Sequence, residues 1–415
     1  MMDRHSPLHR RDLLRAGGAA GLALGLGPSA FALERVVRPD GPPASLVLVQ
    51  LGGGNDGLAT VVPHGEDALY RARKTTARRK GQLLALQEDR GLHPGLKRLH
   101  AEYGEGRVAI VEGCGYPDPV RSHFKSYEIW HTARAAGRAS GDGWIGRLQA
   151  SAFAESDRPD SVVHLGGRAP YSLFSRTHPP VALASPTGYR WFGDLEVYGM
   201  AGEELCEHAP ASEGGRHAGR DGALRALRAT LDDATESSAR VRQASAAYRT
   251  DVEYPKNPMA AALRDVAALI EGGVGARVYS VTKGGFDTHT NQRQRHDALM
   301  AGIDEALGAF MADLARSEAG RRAVVMVFSE FGRRVAENGS KGHDHGQAAP
   351  VLLWGHGVRG GLHGEHPSLE ELDRGDVVHT TDFRSVYATL VRELFGADPE
   401  PVLGGVYPEL ELFRA

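Results

Sequence analysis

Four short segments of this chain group carboxylates with imidazoles. They are Asn55-Asp56, Phe286-Asp287-Thr288-His289, Ser329-Glu330-Phe331-Gly332-Arg333 and His343-Asp344-His345-Gly346. Carboxylate oxygen mixed with imidazole nitrogen is a donor set for Zn, Mn or a similar divalent ion, whereas all-oxygen sets suit Mg or Ca. The candidate ligands are Asp56, Asp287, His289, Glu330, Asp344 and His345, enough for one ion or two adjacent ones. Four crowded carboxylates with no cation between them would repel and raise one another's pKa. Plainer roles stand beside these. Asp56 follows three glycines and suits a turn, Asp287 suits the cap of a helix starting near Thr290, and Glu330 suits an ion pair with Arg333 or Arg334. His343 is a weaker ligand candidate.

A second group is Arg121-Ser122-His123, ahead of a helical stretch that includes Tyr127, Ile129, Trp130 and His131. Serine at a helix start is commonly an N-cap. The free N–H groups and the helix dipole also favour an anion there. Ser122 is thus a candidate nucleophile, with its hydroxyl activated by a metal. Arg121 is a candidate clamp on a phosphate or sulfate oxygen, and His123 a candidate ligand or acid/base group.

The elements that must hold these residues read as strands and helices in alternation. Short apolar runs lie at Leu46–Leu51, Val108–Val111, Val162–Leu165, Val278–Val281, Val324–Phe328 and Val351–Trp354. Continuous apolar runs are the mark of strands buried on both faces. Leu299, Ile303, Leu307, Phe310 and Leu314 form one helical stripe, and Leu224–Tyr248 and Ala260–Ile270 also read as helices. The pattern predicts an α/β fold, a three-layer sandwich with a mostly parallel central sheet. Three of the four segments follow predicted strands and the fourth precedes one. In open α/β sheets, sites form beyond the carboxyl ends of the strands, so the four can share one cleft.

Composition narrows the function. With 49 Lys plus Arg against 52 Asp plus Glu, the net charge of −3 excludes a strongly basic nucleic-acid-binding chain. Two cysteines, Cys114 and Cys206, exclude a disulfide scaffold or Cys-rich zinc module; whether they pair is left open. Residues 1–32 carry Arg10-Arg11, a short Gly/Ala/Leu stretch and Ala30-Phe31-Ala32. This is the pattern of a twin-arginine signal peptide, cleaved after Ala32. The expected partners are the Tat export machinery and a small-molecule or polymer ester. The expected location is periplasmic or extracellular, with no integral membrane segment after cleavage. Residues 33–415 read as a single domain, with insertions near 135–160 and 205–222.

The strings LGGGNDGL, GLHP, GYPDPVRSHFKSYEIW, FDTHTNQ, SEFGRRVAENGSKGHDHG and TTDFRSVYATL occur in this order. They resemble the Tat-exported bacterial family catalogued as domain of unknown function 1501, grouped with the alkaline-phosphatase-like superfamily. The resemblance runs from about residue 45 to 405. It implies a three-layer α/β sandwich with one or two divalent metals at strand ends and phosphoryl or sulfuryl transfer. By position it likens Asp56 to the first-strand metal Asp, Asp287 and His289 to the middle metal segment, and His345 to the last metal His. Glu330-Phe331 stands where the superfamily often has an Asp-His pair. No C-x-P-x-R string is present, so the formylglycine chemistry of sulfatases is not expected. The resulting expectation is an exported metal-dependent hydrolase of phosphate or sulfate esters. The alternative is a non-catalytic metal- or anion-binding envelope protein on the same scaffold.

Overall fold

The computed structural model describes residues 44–135, 141–153, 160–189 and 235–414. The proposed signal peptide, Cys206, the insertion at 205–222 and the first part of the Leu224–Tyr248 helix lie outside the described residues. From 235 to 247 that helix is present.

The main sheet contains β1 (Leu46–Gly52), β2 (Val108–Gly115), β3 (Val162–Leu165), β4 (Val181–Leu183), β5 (Val278–Gly284), β6 (Val324–Phe328), β7 (Ala349–Trp354), β8 (Gly361–His363) and β9 (Thr381–Asp382). Its order is β8-β2-β7-β6-β1-β5-β3-β4, with β9 also on β2. The central strand β1 is flanked in parallel by β5 and β6, with Val49 opposite both Val281 and Val327. Its sequence LVLVQLG is buried along nearly its whole length, which explains its lack of polar alternation.

The sheet is mostly parallel, as expected, but β7 is antiparallel to both β2 and β6. The apolar run at Val351–Trp354 was legible as a strand and its direction was not. The chain leaves the end of β6 through the loop 329–348 without a helix. It therefore turns back down the sheet as a wide hairpin, where a parallel return would need a crossover.

Helices cover both faces. Val47, Val49 and Leu51 pack into one cluster with Leu263 and Val266 of α3 (Pro258–Glu271) and with Leu307 and Phe310 of α4 (Gln292–Leu314). Leu46 and Leu48 face the other way, toward Trp130 of α1 (His123–Thr132), Trp144 of α2 (Trp144–Ala152) and Phe383 and Tyr387 of α5 (Phe383–Phe395). The period-2 alternation of β1 thus feeds two cores. Trp130 stacks on Phe383 at 4.1 Å between centroids and on Phe328 at 5.4 Å. Such pairs add about 0.5–1.5 kcal/mol beyond area burial. They seat α1 across the carboxyl end of β6.

Candidate metal centre at the strand ends

Because β5, β1 and β6 are adjacent and parallel, their carboxyl ends open side by side. Antiparallel β7 brings the segment ahead of it to the same edge, so all four polar segments meet there. Two glycines make the approach possible. A Cβ at Gly53 (φ +118°) would sit 2.4 Å from the Asp287 amide nitrogen, and one at Gly54 (φ +80°) 2.4 Å from the Phe331 ring. Both need a left-handed backbone that glycine adopts freely.

Arg333 holds the segments together. Its side chain is fully buried. Nε donates to Gly54 O (2.8 Å), Nη1 to His343 O (2.9 Å), and Nη2 to Phe286 O (3.0 Å), Gly53 O and Asp287 Oδ1 (2.7 Å). One guanidinium thus ties the loops after β1 and β5 to the loop before β7. Sequence reasoning gave it only a place as an ion-pair partner of Glu330; it pairs with Asp287.

Three histidines converge on Asp287. His345 Nε2 and His289 Nε2 lie 3.1 and 3.0 Å from Asp287 Oδ1 and 3.1 Å from each other. His123 Nε2 lies 3.9 Å from Asp287 Oδ2. The other nitrogen of each ring is anchored. His345 Nδ1 meets Arg121 O at 3.0 Å, His289 Nδ1 meets Asp344 Oδ1 at 3.0 Å, and His123 Nδ1 meets Glu330 Oε1 at 2.7 Å. A carbonyl and two carboxylates can only accept, so each Nδ1 carries the hydrogen. In the neutral rings every Nε2 then presents a lone pair. Between His289, His345 and Asp287 there are three acceptors at 3.0–3.1 Å with no hydrogen to share.

A divalent ion with bonds of about 2.0–2.2 Å separates its ligands by roughly 3–3.5 Å, which matches this triangle. Backbone or carboxylate acceptors behind ligating histidines are the usual orienting shell of such sites. The donor set therefore fits a divalent metal. His123, Asp287 and His345 also group by distance alone, with one ligand atom from each within 4.8 Å of the others.

The electrostatics follow from these contacts. Burial works against ionisation of Asp287, but the hydrogen bond from Arg333 outweighs it and brings its carboxyl down to about 2. The Glu330 hydrogen bond raises the His123 pKa above the ordinary imidazole value, against the effect of burial. Glu330 is itself fully buried. It also accepts from Gly53 N (2.9 Å) and the Ser329 hydroxyl (3.0 Å), and despite burial its pKa is lowered, chiefly through His123. Glu330 thus lies behind His123 as its anchor.

The other candidates are placed differently. Asp56 is buried and N-caps the short helix Gly57–Thr60. Its carboxylate accepts from Arg73 Nη1 at 3.0 and 2.8 Å, from the Ala59 amide at 3.2 Å and from the Gln292 side chain. Burial favours its neutral form, yet Arg73 wins and holds it well below the carboxylate range. Asp344 orients His289 and also accepts from Asn338 Nδ2 at 3.2 Å. His343 is fully buried, with Nε2 2.9 Å from Thr76 Oγ1 and Nδ1 3.1 Å from Ala336 O. Neither nitrogen faces the cluster. The helix after His289 starts at Gln292 with Asn291 as its N-cap, so Asp287 does not cap it.

Ser122 occupies the N-cap position of α1, and its side chain makes no capping bond. On one side the Arg121 carbonyl holds His345, and on the other the His123 ring belongs to the cluster, so the serine sits at the rim. The Arg121 guanidinium turns to Asp376, with Nε 2.7 Å from Oδ2. No sequence pattern joined Arg121 to that aspartate, 255 residues away.

Residues 101–406 match the family model described as Protein of unknown function (DUF1501). The chain belongs to that family. In this DUF1501 member the matched segment contains His123, Asp287, His289 and His345, while Asp56 precedes it. No curated protein matches the sequence. Among solved structures, the chain is similar to Ps i-CgsB in complex with k-i-k-neocarrahexaose (11% identity, 89% of this chain and 76% of that one, TM-score 0.41). It is also similar to PsFucS1 sulfatase from Pseudoalteromonas sp. (11%, 89% and 71%, TM-score 0.40). A third is a protein in the alkaline phosphatase superfamily from Vibrio parahaemolyticus (10%, 88% and 69%, TM-score 0.39). None of these likenesses assigns a residue or a ligand to the DUF1501 chain. No helix among its described residues is long and apolar enough to cross a membrane.

Histidines beneath the site give the fold a pH dependence. Burial lowers His93 and His131 to about 4 and His296 to about 3. The unfolded chain takes up these protons near pH 6.5 and the folded chain does not, so stability is fully present above that pH. It falls as the pH drops from about 6.5 toward 4, by roughly 1.4 kcal/mol per pH unit for each histidine. His123, with its raised pKa, works in the opposite direction. Thermal melts from pH 7.5 to 4.5 check this, and a flat profile contradicts it.

Proposed function

We propose that the protein is an exported, single-domain, metal-dependent hydrolase of phosphate or sulfate esters. The observation that carries the proposal is the convergence of three anchored imidazoles on Asp287. The reading uses one divalent ion, Zn, Mn or similar, held by Asp287, His289 and His345 with His123 beside them. Asp56 and Glu330 are taken up by protein donors, which favours one ion over two.

Bound there, the ion supplies Lewis-acid charge to non-bridging ester oxygens and lowers the pKa of a nearby hydroxyl or water. The residues of the chain do the rest. The first-turn N–H groups of α1 and its dipole favour an anionic group beside Ser122. Ser122 is the proposed nucleophile. His123, kept protonated to higher pH by Glu330, is the proposed proton donor to the leaving oxygen. His343 is too enclosed for that part. Ser122→Ala should leave metal content unchanged and lower turnover by about 100-fold or more if the hydroxyl attacks. Unchanged turnover would assign the attack to water.

The test is metal content by mass spectrometry on exported, cleaved protein purified without chelators, followed by a screen of phosphate monoesters, diesters and sulfates. About one ion per chain, absent from His345→Ala, supports the reading. A well-folded chain that binds no ion on titration overturns it.

A second reading is a non-catalytic metal- or anion-binding envelope protein. The observation favouring it is the enclosure of Asp56 and Glu330, two positions likened to superfamily ligands. On that reading, ligand loss lowers thermal stability and no ester is turned over.

A further inference from the structure

The hairpin of Leu372–Asp373 and Asp376–Val377 stands next to the cluster. Its two-residue tip, Arg374 (φ +53°) and Gly375 (φ +88°), has the left-handed geometry of a type I′ turn. Arginine is a costly residue in that conformation. The turn presents two acceptors to one point, the Arg374 carbonyl and the fully buried Asp376 carboxylate.

Two guanidiniums from separate segments, ahead of α1 and in the loop 329–348, meet there. Arg121 puts Nε 2.7 Å from Asp376 Oδ2 and Nη2 3.2 Å from Arg374 O. Arg334 puts Nε 3.4 Å from Asp376 Oδ1 and Nη2 2.5 Å from Arg374 O. Both are about one-third exposed. Each uses the same two nitrogens inward. Among the described residues neither Nη1 has a protein acceptor. Arg374 pairs with Asp373, which also accepts from Gln347, and the Asp344 carboxylate within electrostatic reach of Arg334 is engaged by His289 and Asn338. Two guanidiniums thus share one buried carboxylate, and part of the donor capacity of each is left unused among the described residues.

Both arginines are tied to the cluster through their backbones. The Arg121 carbonyl holds His345, and the Arg334 amide donates to Asp344 O at 3.0 Å. We infer that Arg121 and Arg334, clipped together by Asp376, form a second anion subsite beside the metal centre, so that the preferred substrate carries a further anionic group on its alcohol portion. The inference rests on the ester-hydrolase reading for the placement of the first anionic group. Two fixed guanidiniums suit the tetrahedral oxygens of a phosphate or sulfate better than an ammonium would.

The test is calorimetric titration of the metal-loaded protein with fructose 6-phosphate and with fructose 1,6-bisphosphate. Wild type should bind the bisphosphate about tenfold more tightly, the equivalent of one charge-assisted contact. Arg334→Gln should remove that preference and leave monophosphate affinity unchanged. Arg334→Met, which keeps the packing of the stem, serves if the Gln variant does not fold. Equal affinity for the two sugars in wild type, or a preference retained in the Arg334 variant, overturns the subsite. An Arg334-dependent preference in a protein that turns over no ester keeps the subsite and discards the hydrolase.

Discussion

His345→Ala should lose its metal and its turnover together. The substitution removes an imidazole whose Nε2 is 3.1 Å from both Asp287 Oδ1 and His289 Nε2. Two donors of the triangle remain, without the geometry of a full site. Changing an orienting partner typically costs 10–100-fold in metal affinity, so loss of a ligand should exceed about 100-fold. Turnover should fall by about 1,000-fold, roughly 4 kcal/mol of transition-state stabilisation. Asp344→Asn is the graded control. It keeps a side-chain oxygen near His289 but removes the charge, so metal affinity should drop by about 10–100-fold. Metal content by mass spectrometry, read beside the melting temperature, separates a lost site from a lost fold. If His345→Ala retains a full equivalent of metal, the centre is elsewhere.

Arg333→Met should be the most destabilising single change at the site. It leaves the carbonyls of Gly53, Gly54, Phe286 and His343 without their donor and the Asp287 carboxylate without its buried counter-charge. Each buried carbonyl left without a donor costs about 1–3 kcal/mol, while the half-exposed Asp287 carboxylate regains water and adds less. Arg333→Lys should rescue little, since an ammonium cannot reach several acceptors in a planar fork. Denaturant unfolding with metal present and with metal removed checks this. The loss should persist without metal, because the carbonyls are orphaned in either case. A change below about 1 kcal/mol contradicts the assembling role of Arg333.

The layer architecture was legible because it depends on local patterns. Leu46–Leu51 reads as a doubly buried strand from its own residues, and the stripe from Leu299 to Leu314 as a helix from its own spacing. The direction of β7 was not legible. It depends on the loop 329–348 lacking a helix, and a loop gives no periodic signal.

The site was legible in the same sense and to the same limit. Asp287, His289 and His345 could be named because metal chemistry needs those residue types, and strand-end placement is a rule of parallel sheets. The structure alone separated facing residues from supporting ones. Asp56 and Asp287 are the same residue type and both follow a strand of the central sheet, but Arg73 takes both oxygens of the fully buried Asp56, while Arg333 takes one oxygen of the half-exposed Asp287 and leaves it facing three imidazoles. Glu330 faces back into the fold and orients His123, while Asp344 orients His289. Arg333 and Asp376 carried no motif. Their roles arise from partners tens to hundreds of positions away, and composition and spacing cannot encode a contact made only when the chain closes. Local pattern was enough for the strand and helix order, the edge of the sheet where the candidate donors gather and their residue types. Which carboxylates stay open to a cation depends on the fold, because it depends on which donors close on each: Arg73 takes both oxygens of Asp56, His123, Ser329 and Gly53 take Glu330, and Arg333 takes one oxygen of Asp287.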